Sequence, residues 1–212
     1  NSGSVVADGT FSANSMTIDT GTLSGTGILN INKALNVNSG SVVADGTFSA
    51  NSMTIDTGTL SGSGSIETKA GLNNFSGSIS PGSLKDPISS IKIIGNLNQG
   101  LNSKIIINAS PEEVDLLSIT GNTILKGSLS IQSLTTKKYS GNSQYELIKT
   151  DNLTGKFNNF FIEDPSKFGY LIHKVNYENN IVSWELHNPV YKNLTASKKG
   201  KLVAENIDSF SR

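Results

Sequence analysis

The sequence predicts an all-β protein: a right-handed parallel β-helix, a three-sided solenoid with a C-terminal β cap. Three observations carry that prediction. The 25-residue stretch NSGSVVADGTFSANSMTIDTGTLSG occurs twice, letter for letter, as Asn1–Gly25 and Asn38–Gly62, at an offset of 37 residues. Inside that period apolar residues recur at strand spacing, separated by small polar turn formers. Bulky aromatic residues gather between Tyr139 and Trp184.

The repeat sets the architecture. An identity this long is a recent duplication, and a fixed period of this size indicates a stacked array. Val6, Phe11, Ile18, Leu23, Leu29, Leu35 and Val43 mark six short apolar beats within one period. Asp8-Gly9, Asn14-Ser15, Gly21, Gly25 and Gly27 lie between them as turns. No residues recur at helical spacing, whereas runs such as Ser-Val-Val-Ala and Met-Thr-Ile-Asp alternate or nearly so. Six short strands make two turns of a three-sided coil, so one duplication lengthens the rod by roughly 10 Å. The rival is an antiparallel meander or propeller blade of about forty residues. That fold needs tight hairpin turns at regular places, and the turns here are irregular.

Composition agrees with a narrow coil. Only 35% of the 212 residues are apolar, below the usual globular share, as fits strands that each bury one or two side chains. Seventeen basic residues balance 17 acidic ones, which supplies no basic surface for nucleic acid. There are no cysteines, so disulfides and thiolate metal sites are excluded. No stretch approaches the ~20 apolar residues of a membrane-spanning helix. The abrupt start of the duplicated unit at Asn1 reads as a piece cut from a longer protein.

Four segments follow in order. Residues 1–75 are tandem repeat coils with the 37-residue period, and residues 76–138 are further coils. There Pro81-Gly82 makes a firm turn, and strand-like runs recur at Ile91–Leu97, Ser103–Asn108, Asp115–Gly121 and Thr123–Ile131. Residues 139–188 form a cap, because a solenoid end exposes unpaired strand edges and rings supply the buried area a thin coil lacks. Residues 189–212 read as a linker in which Leu202, Val203, Ile207 and Phe210 share one helix face.

Five blocks in sequence order carry a family resemblance: GTLSGSGSI (Gly58–Ile66), GSISPG (Gly77–Gly82), IKIIGNLNQG (Ile91–Gly100), VDLLSITGN (Val114–Asn122) and ILKGSLSI (Ile124–Ile131). Together they resemble the passenger domains of bacterial autotransporters, the type V secretion systems. The first two look like the passenger-associated transport repeat. The remainder is similar to the C-terminal, pertactin-like part of such passengers, through Tyr145–Thr150, Leu153–Phe157, Tyr170–Val175 and Ile181–Leu186. The resemblance implies that Gly141–Leu186 belongs to an autochaperone region and that a linker helix then leads into an outer-membrane β-barrel. It further implies a chain exported through the outer membrane, displayed at the bacterial surface or released. As an adhesin or other virulence-related protein it would meet a host cell-surface protein or matrix component.

Residues able to do chemistry are few. No G-x-S-x-G elbow occurs, and His173 and His187 are the only histidines. His173 alternates along a strand and His187 begins the tail, so both read as surface residues and not bases. Asp8 and Asp19 recur as Asp45 and Asp56, so equivalent carboxylates could stack along one face. Asp8-Gly9 and Asp19-Thr20-Gly21 read better as turns in which the carboxylate bonds its own backbone. The single arginine is Arg212, and the calcium-binding GGxGxD nonapeptide is absent. The expectation is no enzyme, no catalytic, metal or cofactor site, no cofactor, and no nucleic-acid partner. The chain is expected to be a β-helical scaffold or adhesin stalk whose C-terminal region promotes folding. The alternatives are a secreted effector whose rod binds a host receptor and a β-helix glycan-processing enzyme.

Overall fold

The chain folds as a parallel β-helix with three faces. The computed structural model describes residues 3–189, and the predicted helix face of the tail lies outside them. The first face is an eight-stranded sheet. One of its inward columns runs Val5, Leu23, Val42, Leu60, Ile79, Ile105, Leu129 and Phe160. The second column runs Phe11, Leu29, Phe48, Ile66, Ile93, Ile119 and Thr150. The third runs Met16, Leu35, Met53, Leu72, Leu97, Thr123 and Leu153. Every one of these pairings is parallel. Eight rungs at strand spacing span about 34 Å.

The period of 37 is two coils. Thr22 pairs with Ser4 below and Ser41 above, and Ser41 pairs with Thr59, so coils advance by 18 and 19 residues in turn. Beyond the duplicated array the coils lengthen. Ser78 pairs with Lys104, Lys104 with Ser128, and Ser128 with Asn159. Much of the added length lies at one corner, where Gly82–Ser89, Ser110–Val114 and Leu134–Asn142 separate the first face from the second.

Stacking does the burying. Phe48 is 1% exposed and Val42 0%, whereas Phe11 and Val5, at the same places in an identical sequence, are each 37% exposed. The coil that holds Val5 and Phe11 has a neighbour on one side among the described residues, and the coil that holds Val42 and Phe48 has one on both. One beat of the sequence reading is corrected here. Val6 and Val43 point outward, Val6 being 64% exposed, and their neighbours Val5 and Val42 take the inward places. In Ser-Val-Val-Ala either valine suits a strand, and the pleat admits only one to the core.

The corners admit no side chain at certain positions. A Cβ on Gly27 would sit 2.0 Å from the Gly9 carbonyl oxygen, one on Gly46 2.0 Å from that of Gly27, and one on Gly64 2.1 Å from that of Gly46. Backbone stacks directly on backbone there, which explains the unvaried Asp-Gly and Gly-x-Gly corners.

Because two coils vanish together, deleting Gly21–Thr57, one whole period, should leave a cooperative β-rich rod with every inward column intact. Deleting the 25 residues Asn38–Gly62 removes no whole number of coils and turns inward residues outward. Circular dichroism with urea titration should show a sharp transition in the first variant and its loss in the second. Equal behaviour would exclude the two-coil assignment.

Candidate functional site

The last coil is built by the long strand Ser143–Gly155, which crosses the second and third faces, and by Asn159–Ile162 on the first. Chain direction then reverses. After a single 3-10 turn, Pro165–Phe168, the strands Ile172–Glu178 and Ile181–His187 form a hairpin. It pairs antiparallel on the rim of the last coil, with Tyr145 opposite Trp184 and Ile148 opposite Val182. Asn179 and Asn180 form its two-residue turn at φ 51° and 62°, the left-handed pair that suits strand twist and that Asn tolerates. The turn is fixed to the coil below. Asn180 Nδ2 donates to the Asp151 carbonyl at 2.7 Å, and its Oδ1 accepts from the Leu153 N–H at 3.1 Å.

Under the hairpin lies an aromatic cluster. Trp184 is fully buried. Tyr145 stacks on it at 5.2 Å, Phe168 meets it edge-on at 5.5 Å, and His173 stacks at 5.8 Å. Tyr139 lies 4.4 Å from Phe168. Trp184 Nε1 donates to His173 Nδ1 at 3.2 Å, which fixes the imidazole as the neutral tautomer carrying its proton on Nε2. Burial pushes the His173 pKa below its ordinary 6.5. The expectation that His173 is a surface residue is therefore corrected, because its alternation along the strand is inward and cross-strand pairing sets it beside the indole. His187 closes the last strand, half exposed, with Nε2 3.0 Å from Glu185 Oε2.

A strap holds the cap to the first face. Lys104 Nζ lies 2.9 Å from Glu163 Oε1, and Ser130 Oγ donates to the same oxygen. These bonds hold the Glu163 carboxyl below the usual carboxylate range. Lys167 Nζ donates to the Ser133 carbonyl at 3.0 Å, and Tyr139 Oη donates to Ser133 Oγ at 3.1 Å. Glu163 thereby ties the segment after the last rung to a strand two rungs below it.

Three of the four repeated carboxylates do something other than expected. Asp8 Oδ1 accepts from the Thr26 N–H at 3.1 Å and its hydroxyl at 3.2 Å, and Asp45 Oδ1 accepts from the Ser63 N–H and hydroxyl at 3.0 and 3.1 Å. The partner is the same corner of the next coil, not the aspartate's own backbone. Asp19 Oδ1 accepts from Asn38 Nδ2 at 2.7 Å in the same way. Asp8 and Asp45 are two rungs apart, about 10 Å, with Thr26 between them, and Asn38 likewise separates Asp19 from Asp56. No paired-carboxylate geometry arises. Among the described residues no three His, Cys, Asp or Glu side chains converge where a metal ion could bind.

Asp115 is the residue that sequence reasoning missed. It is fully buried, and its two oxygens accept from the N–H groups of Ser89 and Asn108, each at 2.8 Å. It thus closes the corner at which Gly82–Ser89 projects. Burial, with a smaller push from Asp86, raises its pKa from 3.8 to about 7 against the pull of those N–H groups. The signal was an acid inside the apolar run Val-Asp-Leu-Leu, where a carboxylate must be paired or bonded.

Compared with family models and with curated proteins, the chain matches none at a significant level.

Two outcomes are expected. Trp184→Ala should cost about 3–5 kcal/mol, since the ring is wholly buried among four others. Hydrogen exchange should then show Ile172–His187 losing protection while Thr47–Ile55 keeps it. For Asp115, the folded chain retains a proton that the unfolded chain releases above its ordinary 3.8. Its contribution to stability is therefore full below 3.8, falls as pH rises, and is lost above about 7. Urea midpoints taken at about pH 4.5 and about pH 7.5 should differ less in Asp115→Asn than in the parent chain.

Proposed function

We propose that this chain is the C-terminal part of an autotransporter passenger: a β-helical scaffold exported through the outer membrane, with a terminal cap that starts its folding outside. The observation that carries this reading is the hairpin Ile172–His187 sealed over Trp184. It gives one end of the rod a finished, densely packed rung, while each array coil leans on its neighbours. A chain that emerges unfolded needs such a template, because the first coil to form has no partner to bury it. The five sequence blocks behind the family resemblance support the same reading. Each of them contributes to a rung of the helix.

On this reading the rod holds more N-terminal regions away from the cell and faces a host surface protein or matrix component. The translocating partner is a β-barrel encoded after Arg212. Chemistry is not its task.

The test is made in the full-length parent protein in its own bacterium. Removing Ile172–His187 should leave the chain exported but sensitive to protease at the cell surface, whereas removing one 37-residue period should leave it resistant. Unchanged resistance without the hairpin would exclude the folding role. The absence of a barrel-forming sequence downstream would exclude the autotransporter reading itself.

A further inference from the structure

The hairpin covers one edge and creates another. Among the described residues strand Ile172–Glu178 pairs with Ile181–His187 alone, so its far side is the end of the described sheet. In a two-residue hairpin the residues flanking the turn, Glu178 and Ile181, form a hydrogen-bonded pair. The backbone groups of residues 178, 176, 174 and 172 therefore face the neighbouring strand, and those of Val175 and Tyr177 face outward. Among the described residues no backbone bond reaches Val175 or Tyr177 from that side. Unpaired edges of this kind template pairing with another strand.

We propose that this edge is a self-association site, in which strand Ile172–Glu178 of one copy pairs antiparallel with the same strand of a second copy about a two-fold axis at Asn176. The sequence Lys174-Val-Asn-Tyr-Glu178 complements its own reverse. In this register Lys174 faces Glu178 twice, Val175 faces Tyr177 twice, and Asn176 faces Asn176. Opposite charges, aromatic with β-branched residues, and paired amides are the favourable cross-strand combinations. The register also has the right phase. Val175 and Tyr177 fall at hydrogen-bonded positions, and the charged and amide pairs fall at the closer, non-bonded ones.

The molecule already uses one of these pairs, since Asn98 Nδ2 donates to Asn73 Oδ1 at 3.2 Å and Asn152 Nδ2 to Asn122 Oδ1 at 3.0 Å across adjacent rungs. Both charged side chains face solvent. Lys174 is 59% exposed and lies 3.9 Å from Glu185, its only ion-pair contact among the described residues. Edge charges normally prevent pairing. Here they discriminate, rejecting neutral or like-charged strands and admitting a second copy of this one. An isologous contact of five residues a side is small, so the association is weak and concentration-dependent.

Analytical ultracentrifugation of the 212-residue chain decides it. From about 10 µM to about 1 mM the mass should move from one copy towards two. Lys174→Glu and Glu178→Lys, taken singly, each set two like-charged pairs across the axis and should raise the midpoint concentration about tenfold. The double swap should restore it. Circular dichroism melting confirms that each variant is folded. If a single swap unfolds, Asn176→Asp replaces it, because it sets two carboxylates face to face at the axis. A chain that stays a single copy throughout overturns the proposal, as does a dimer indifferent to the single swaps. Dimerisation only after removal of residues 190–212 would show that the chain's own tail occupies the edge, and would overturn it too.

Discussion

The rod depends on parallel backbone ladders that run from each coil to the next. Within the duplicated array paired residues such as Thr22 and Ser41 or Ser41 and Thr59 lie 18 or 19 positions apart, so each coil is bonded to the coil above and the coil below. A side chain on the inner face is buried only if both neighbours supply atoms to cover it. The two copies demonstrate the point without any mutation, because the same phenylalanine goes from 37% to 1% exposed when a coil is stacked on its open side. A low apolar content follows directly. A tube one or two side chains wide needs few large residues, provided that each stands over its counterpart.

The ladder also dictates what happens at the corners and at the end. Corners must bring backbone onto backbone, so glycines stack where a methyl group would collide with a carbonyl oxygen at about 2 Å. Corner carboxylates then satisfy N–H groups of the following coil, which turns a loop into one more rung of the ladder. The end poses a different problem, because an open rung leaves donors and acceptors unpaired and apolar columns uncovered. A hairpin answers both. Its strand Ile181–His187 pairs with Ser143–Lys149 on the rim of the last coil, and its rings cover the apolar end beside it. The cap then rests on contacts between residues tens of positions apart in sequence, such as Lys104 with Glu163, where each array coil rests on a single neighbour to either side.

The parts of this architecture legible in the sequence are those that repetition enforces. Identical segments must pair identically, so the 37-residue period led to two coils and to the inward places of Leu23, Leu29 and Leu35. Parity failed at Val5 and Val6, where two adjacent β-branched residues suit a strand equally and only the neighbouring rungs choose between them. The cap was visible as a concentration of rings. The inward place of His173 was not, because it arises from pairing across a hairpin whose register no local pattern states. Asp8 and Asp45 look alike whether they bond their own turn or the next one, since that distinction exists only after coils stack. Asp115 had a signal in its apolar surroundings, though its partners, Ser89 from the same corner of the preceding coil and Asn108 from the strand before the loop, could not be read from its neighbours.

One column carries two buried amides in succession, and their place is informative. On the third face Ile18, Val37 and Ile55 are followed inward by Asn74 and Gln99, both buried. Asn74 Nδ2 donates to Gln99 Oε1 and to the Gly77 carbonyl, each at 3.1 Å, and Ser103 Oγ donates to the same Gln99 oxygen. Asn74 Oδ1 and Gln99 Nε2 have no partner among the described residues, and a buried polar atom in that condition is destabilising. The seam lies where coils of 18 and 19 residues give way to longer ones. Amides stacked in a core bond along the column and so demand one vertical alignment, whereas isoleucines would tolerate slippage between neighbouring rungs. A polar pair at the junction therefore fixes the register between the regular array below and the irregular, loop-bearing coils above. The array can then gain or lose whole pairs of coils, as the duplication records, without disturbing the segment that carries the cap.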